Sequence, residues 1–246
     1  MDKNKKQNYL KLMCYVGGIL TVAFYLIFLF IAWLLFPNPA APWDHWLSDL
    51  GRYQVPADGG PVWRWVDGDW VLYKKVIASS IMNPGGFFYN LGCILSGSSM
   101  FFFFTGFLAY IKKDDKISVT LTYALMGIGY IGGIFLILVG VFAEDGIFLI
   151  TINEDVSYPV HHLTSMIFFA LLVGIKILSG LWAWRHDLNW IVAIFAWAVI
   201  VFDFIVVITG NYIAWIEWTS VLLSLATVGI VAISLFFNDN PLALKE

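Results

Sequence analysis

Asp203 is the residue of this sequence least at home among its neighbours. It lies in the apolar run 197–210, about 13 residues and roughly 20 Å into a hydrophobic window that starts near 190. An unpaired carboxylate there must either protonate or destabilise the fold, so it needs a partner. Candidate partners recur at the same end of other apolar windows. His161 and His162 open one, Glu217 opens another, and Asn90 lies nearly two turns into a third, below Asn83-Pro84. Glu144 and Asp145 close a fourth, and Ser48 and Asp49 follow the first in Trp46-Leu47-Ser48-Asp49-Leu50-Gly51. A histidine beside a carboxylate is the pair that general acid–base chemistry uses, and a carboxyl raised by an apolar setting suits the acid. His161 or His162 is therefore the expected base, with Asp203 or Glu217 orienting it and Asp49 within the same candidate catalytic set. Ser48, Asn83, Asn90, Glu144 and Asp145 are the expected ligand contacts. No cofactor motif is present. A zinc variant would use one histidine with Asp49 and Asp203 or Glu217 and an open position for water, but no HxxxH or HExxH spacing occurs.

Each of these residues also has a plainer reading. A carboxylate in a loop is often only solvated, which is the alternative for Glu144 and Asp145. Ser48-Asp49 could cap a short helix by accepting its orphan N–H groups. Adjacent histidines on a helix point about 100° apart, so His161 and His162 are not expected to hold one ion together. Asp203 and Glu217 are harder to explain in this way.

The elements that position these residues follow from composition. Of 246 residues, 60% are hydrophobic and 13% charged, against roughly a quarter charged in a soluble domain. A mean hydropathy of +0.80 fits a chain whose exterior is solvated by lipid. A net charge of −3 gives no reason to expect a nucleic-acid partner. Cys14 and Cys93 both fall in apolar runs, with no disulfide framework and no CxxC pair. The first apolar stretch, 12–36, is too long for a signal peptide and lacks a cleavage site after it. Six windows reach the roughly 20 residues a membrane helix needs, near 12–36, 86–111, 118–143, 160–184, 190–211 and 215–237. The expected fold is an all-α six-span bundle forming a single membrane domain. The connections at 112–117, 185–189 and 211–214 are short, which makes their flanking helices antiparallel. Glycines 127, 129, 132, 133 and 140 in span three, and 92, 97 and 106 in span two, are expected to permit close helix approach.

Orientation follows from the basic residues. With the N-terminus inside, Lys3, Lys5, Lys6, Lys11, Lys112, Lys113, Lys116, Arg185 and Lys245 fall on the cytoplasmic side, against Arg52, Arg64, Lys74 and Lys75 outside. Lys176 lies two turns from the cytoplasmic end of span four and is expected to snorkel there. Both termini are then cytoplasmic, and the polar residues gather on the outer side. The long external loop 37–85 contains Asp67-Gly68 between two β-prone runs, a signal for a type I′ hairpin that sets Trp65 opposite Trp70. Such a tryptophan-rich hairpin would lie at the membrane interface, as an anchor or as a ligand contact.

The order of these landmarks resembles the Frag/DRAM/Sfk family of six-span membrane proteins. Ser48-Asp49-Leu50-Gly51, then Asn83-Pro84 leading into Phe88-Tyr89-Asn90, is closer still to a related prokaryotic family of unknown function with an S-D-L-G element before N-P and F-N. Gly140-Val141-Phe142 with Glu144-Asp145 is similar to that family's G-V-F-P end of span three, with Ala143 in the proline position. His161-His162 and Glu217-Trp218 complete the set. The tryptophan-rich segment between Gly51 and Asn83 departs from the pattern. The resemblance implies a connection to lipids, because its eukaryotic branches act in GPI-anchor lipid remodelling, autophagy and phosphoinositide signalling. The expected partner is therefore a membrane lipid at the outer leaflet of the cell membrane, bound or modified by a hydrolase or acyltransferase. The alternatives are a non-catalytic scaffold or lipid sensor and, with less support, a transporter, which would need polar residues along both halves of its path and shows no inverted repeat.

Overall fold

The computed structural model describes residues 2–37, 40–58, 60–67, 69–72, 80–146, 149–153, 156–209 and 213–240, with 63–66, 69–72, 149–153, 156–159 and 207 described by backbone alone. It is mostly helical. Helix α1 spans Lys3–Leu35, α2 Gly85–Gly106 with a 3-10 extension Phe107–Tyr110, α3 Lys116–Val141, α4 Val160–Arg185, α5 Trp190–Thr209 and α6 Ala214–Asp239. Five of them, all but α5, are long and apolar enough to cross a membrane, and α5 is apolar over the shorter stretch Trp190–Val206.

The helix ends follow local chemistry. Pro37 excludes the helical region for the residue before it, and Phe36 turns extended at ψ 129°. Asn83 Oδ1 accepts from the Gly85 N–H at 2.9 Å, Asp115 Oδ1 from Ile117 at 3.1 Å and Asn189 Oδ1 from Ile191 at 3.0 Å. These side chains satisfy N–H groups that α2, α3 and α5 would otherwise leave orphaned. Asp187, at φ 59°, provides the left-handed residue that reverses the chain between α4 and α5.

Helix α1 packs on both α2 and α6, and each later helix packs on the one before it. The closest approaches fall at glycines. A Cβ on Gly17 would lie 2.3 Å from the Phe103 backbone nitrogen, one on Gly106 2.4 Å from Cys14, and one on Gly140 2.4 Å from the Asn90 carbonyl. Gly127 differs from the other glycines of α3, since a Cβ there meets nothing within 4 Å.

Three short antiparallel ladders lie outside the helices. β1 (Gln54–Pro56) pairs with β4 (Ser80–Met82), β2 (Trp63–Val66) with β3 (Asp69–Leu72), and β5 (Leu149–Asn153) with β6 (Val156–Pro159). Trp65 is opposite Trp70 in the β2–β3 register. Asp67 has φ 51°, as the first central position of a type I′ turn requires. The side chains of Trp65 and Trp70 and the second turn residue, 68, lie outside the described residues, as does part of the 211–214 link.

Candidate functional site

A 3-10 turn at Leu47–Gly51 is the hub of the polar end of the bundle. It is held from three directions. Asn83 Nδ2 donates to the Leu50 and Arg52 carbonyls at 3.1 and 2.8 Å, and Asn90 Nδ2 donates to the Gly51 carbonyl at 2.9 Å. Both asparagines thus clamp the turn onto α2, and neither lines the large cavity described below. From the third direction, Glu217 on α6 accepts at Oε2 from the Leu47 N–H at 2.8 Å, and from the Ser48 N–H and Oγ at 3.5 Å each. Glu217 therefore supplies the acceptor for the exposed N–H groups at the start of the turn.

Arg52, directly after the turn, is the centre of a buried ion cluster. Its Nε donates to Asp49 at 3.1 Å and its Nη2 to Glu144 at 2.6 Å. Asp49 also accepts from the Trp46 N–H at 3.0 Å. Burial and the nearby charge of Glu144 push the Asp49 carboxyl up to about 7, with Arg52 opposing the shift. Asp145 is bonded as well, accepting from the Tyr53 and Gln54 N–H groups at 2.8 and 2.7 Å. Asp49, Glu144 and Asp145 are thus engaged in binding loop to helix end.

The histidines differ from each other. His161 is buried, and its Nδ1 lies 2.7 Å from the Phe142 carbonyl. A carbonyl can only accept, so Nδ1 carries the hydrogen and Nε2 keeps the lone pair. His162 is half-buried, with Nε2 3.7 Å from Glu144. A carbonyl therefore orients His161, and Glu144 is the carboxylate nearest His162 at 3.7 Å, in place of the expected Asp203 or Glu217.

Asp203 finds its partner elsewhere. Lys176 donates to Asp203 and to Ser224 Oγ at 3.1 Å, while Ser220 donates to Asp203 at 2.7 Å. Lys176 is only 2% exposed, so it does not snorkel to the C-terminal end of α4. The cause is helix geometry: side chains leave a helix tilted toward its N-terminus. In α4 that direction leads away from the Arg185 end and toward Asp203. One further ionisable group, His45, was not anticipated. It is buried against Phe36, with no hydrogen bond to either ring nitrogen from the described residues, and burial lowers its pKa.

A cavity of about 690 Å³ lies between α4, α5 and α6, within the range of about 300–1,000 Å³ usual for small-molecule sites. Ser48, Glu144, His161, His162 and Glu217 line it, with Asp203 and Ser220 further along, and Met166, Phe169, Ala170, Val173, Val206 and Ile216 form its apolar walls. His162, Met166, Phe169 and Val173 follow the three-to-four spacing of one helix face. The cleft runs along the half of α5 that buries least, where Asp203 still bonds to Lys176 on α4 and Ser220 on α6. Val192, Ala193, Ala196 and Val199 are buried, but no described residue of α5 beyond Val199 is. Met166 on the facing helix is 67% exposed, so the cleft opens on the flank of the bundle. The structure thus gathers His161, His162, Glu144, Ser48, Glu217 and Asp203 around one cavity and leaves Asp49, Asn83, Asn90 and Asp145 behind its wall. Ser165 and Ser220 join the lining, although nothing in their spacing marked them out. Among the described residues, no three His, Cys, Asp or Glu side chains converge as metal ligands would, so the zinc ligand set is not assembled there.

Apolar helices of this length, packed around a half-buried polar cluster, define a polytopic membrane protein. The chain belongs to the DUF998 family, proteins of unknown function, whose family model matches residues 75–234. That stretch carries α2 to α6 and most of the cavity lining but not the turn at Leu47–Gly51. No curated protein and no solved structure matches the chain.

Proposed function

We propose that this protein crosses the cell membrane six times with both termini in the cytoplasm, and that it binds a membrane lipid in the cleft between α4, α5 and α6, at the level of the outer leaflet. The observation that carries the reading is the cleft itself, with apolar walls, a histidine–carboxylate rim and an opening on the bundle's flank. A lipid reaches such a site sideways from the bilayer, laying its chain along Phe169, Val173 and Val206 and its head against His161 and Glu217. The excess of basic residues in the segments assigned to the cytoplasm supports the orientation. On this reading the β2–β3 hairpin lies over the outer ends of the helices, with Trp65 and Trp70 at the interface. The resemblance to Frag/DRAM/Sfk proteins supports a lipid as the partner class. Transport has less support, because the sequence shows no inverted repeat or paired broken helices.

The test is retention of lipid. Wild-type protein washed extensively in mild detergent should carry lipid detectable by mass spectrometry. Ala170→Trp, which fills the cleft, should carry little at unchanged helical content and elution volume. Equal lipid on both proteins overturns the reading.

A second reading, that the bound lipid is chemically modified, rests on one observation. The Phe142 carbonyl fixes His161 in the tautomer whose Nε2 can take a proton. His161→Asn keeps a donor for Phe142 but lacks that nitrogen. It should retain lipid yet lose turnover of isotope-labelled membrane lipids, and unchanged turnover removes His161 from any catalytic role.

A further inference from the structure

Resting on the lipid-binding reading, we infer that the head accommodated by this cleft is a cationic amine and not a phosphate. The argument is one of charge and hydrogen-bond complementarity. Glu144, Asp203 and Glu217 all line the cavity, and among the described residues no lysine or arginine does. The two cations near it are already engaged from behind the wall. Arg52 binds Asp49 and Glu144, and Lys176 binds Asp203 and Ser224. Glu217 has no cationic partner among the described residues. Its bonds come from Leu47 and Ser48, and all reach Oε2, so Oε1 is left to accept at the cavity wall.

The neighbouring groups ask for the same kind of ligand. His161 spends its one hydrogen on Phe142, so its Nε2 offers a lone pair. The Ser48 hydroxyl donates to Glu217. Glu217 Oε1 and His161 Nε2 thus present acceptors, and an ammonium brings the donors that match them. A phosphate would bring acceptors and negative charge to a rim where, among the described residues, carboxylates and no arginine or lysine line the cavity.

Matched single-chain probes test this on the full chain in nanodiscs, with protein-free discs as the blank. Dodecylamine should bind at least tenfold more tightly than dodecyl phosphate, and N-dodecylacetamide, which keeps the chain but loses the charge, should fall at least tenfold below the amine. Glu217→Gln should bring dodecylamine to within about threefold of the phosphate and leave monododecanoylglycerol unchanged. Dodecyl phosphate binding as tightly as the amine, or the acetamide matching it, overturns the assignment while the lipid cleft stands. If none of the probes binds above the blank, the lipid-binding reading fails with it. The probe comparison uses wild-type protein, so it decides the matter even if Glu217→Gln does not fold.

Discussion

Lys176 and Asp203 are bound to each other so deeply that neither can be removed alone without cost. A carboxylate or ammonium left unpaired in a buried site costs roughly 3–5 kcal/mol, whereas replacing both partners with apolar residues is often neutral. Asp203→Leu and Lys176→Met should therefore each lower stability in a mixed-micelle denaturation titration, and the double variant should recover most of the loss. Additive losses would mean that the pair is not coupled. The ion cluster at the turn makes a pH prediction. The Asp49 carboxyl is raised in the folded protein to about 7, so the fold binds a proton that the unfolded chain releases at lower pH. That contribution is complete below the unfolded value near 4 and is lost as pH rises through 7. The melting temperature should accordingly fall between pH 6 and pH 8, and Asp49→Asn should flatten the slope; a rise over that interval contradicts the assignment. At this scale the sequence was half legible. Asp203 demanded a partner and Glu217 stood out, because an ionisable group in an apolar run has few alternatives. Their true partners were not legible. Lys176 lies nearer the C-terminal end of its helix, and only the tilt of Cβ toward the helix N-terminus says that it reaches the other way.

Helix packing sets what the elements tolerate. Helix α1 meets α2 through Gly17 and Gly106, where any Cβ would collide with backbone. Gly17→Ala should thus cost about 1–3 kcal/mol by overpacking, while Gly127→Ala, with open space at its Cβ, should be neutral or slightly stabilising through helix propensity. Equal effects in the same denaturation titration would show that the α1–α2 contact is looser than described. The glycine-rich runs of α2 and α3 were readable as close-packing signals, yet sequence could not single out Gly127, because which face a helix turns to its neighbour depends on tertiary placement. Helix positions were readable because apolar runs of membrane length admit few alternatives. Asn83 and Asn90, expected as ligand contacts, bond to the turn and do not line the cavity, and the reason is related. An asparagine that clamps a turn and one that greets a ligand look alike until the 3-10 turn at Leu47–Gly51 is folded against α2.

Across the whole molecule, the decisive feature is the low burial of α5 beyond Val199, where Asp203 bonds to both neighbouring helices and a cleft opens beside it. No hydropathy profile contains that change in burial, since α5 is apolar on both sides of Asp203 and those residues would pack equally well against lipid or protein. The account predicts that lipid fills the space. The most direct measurement is photo-crosslinking in native membranes with a lipid bearing a diazirine at the end of its acyl chain, followed by peptide mapping. Adducts should concentrate on Phe169, Ala170, Val173, Val206 and Ile216, and should be lost in Ala170→Trp. Adducts spread evenly over the outer faces of α1 to α3, with none in the cleft, would contradict it.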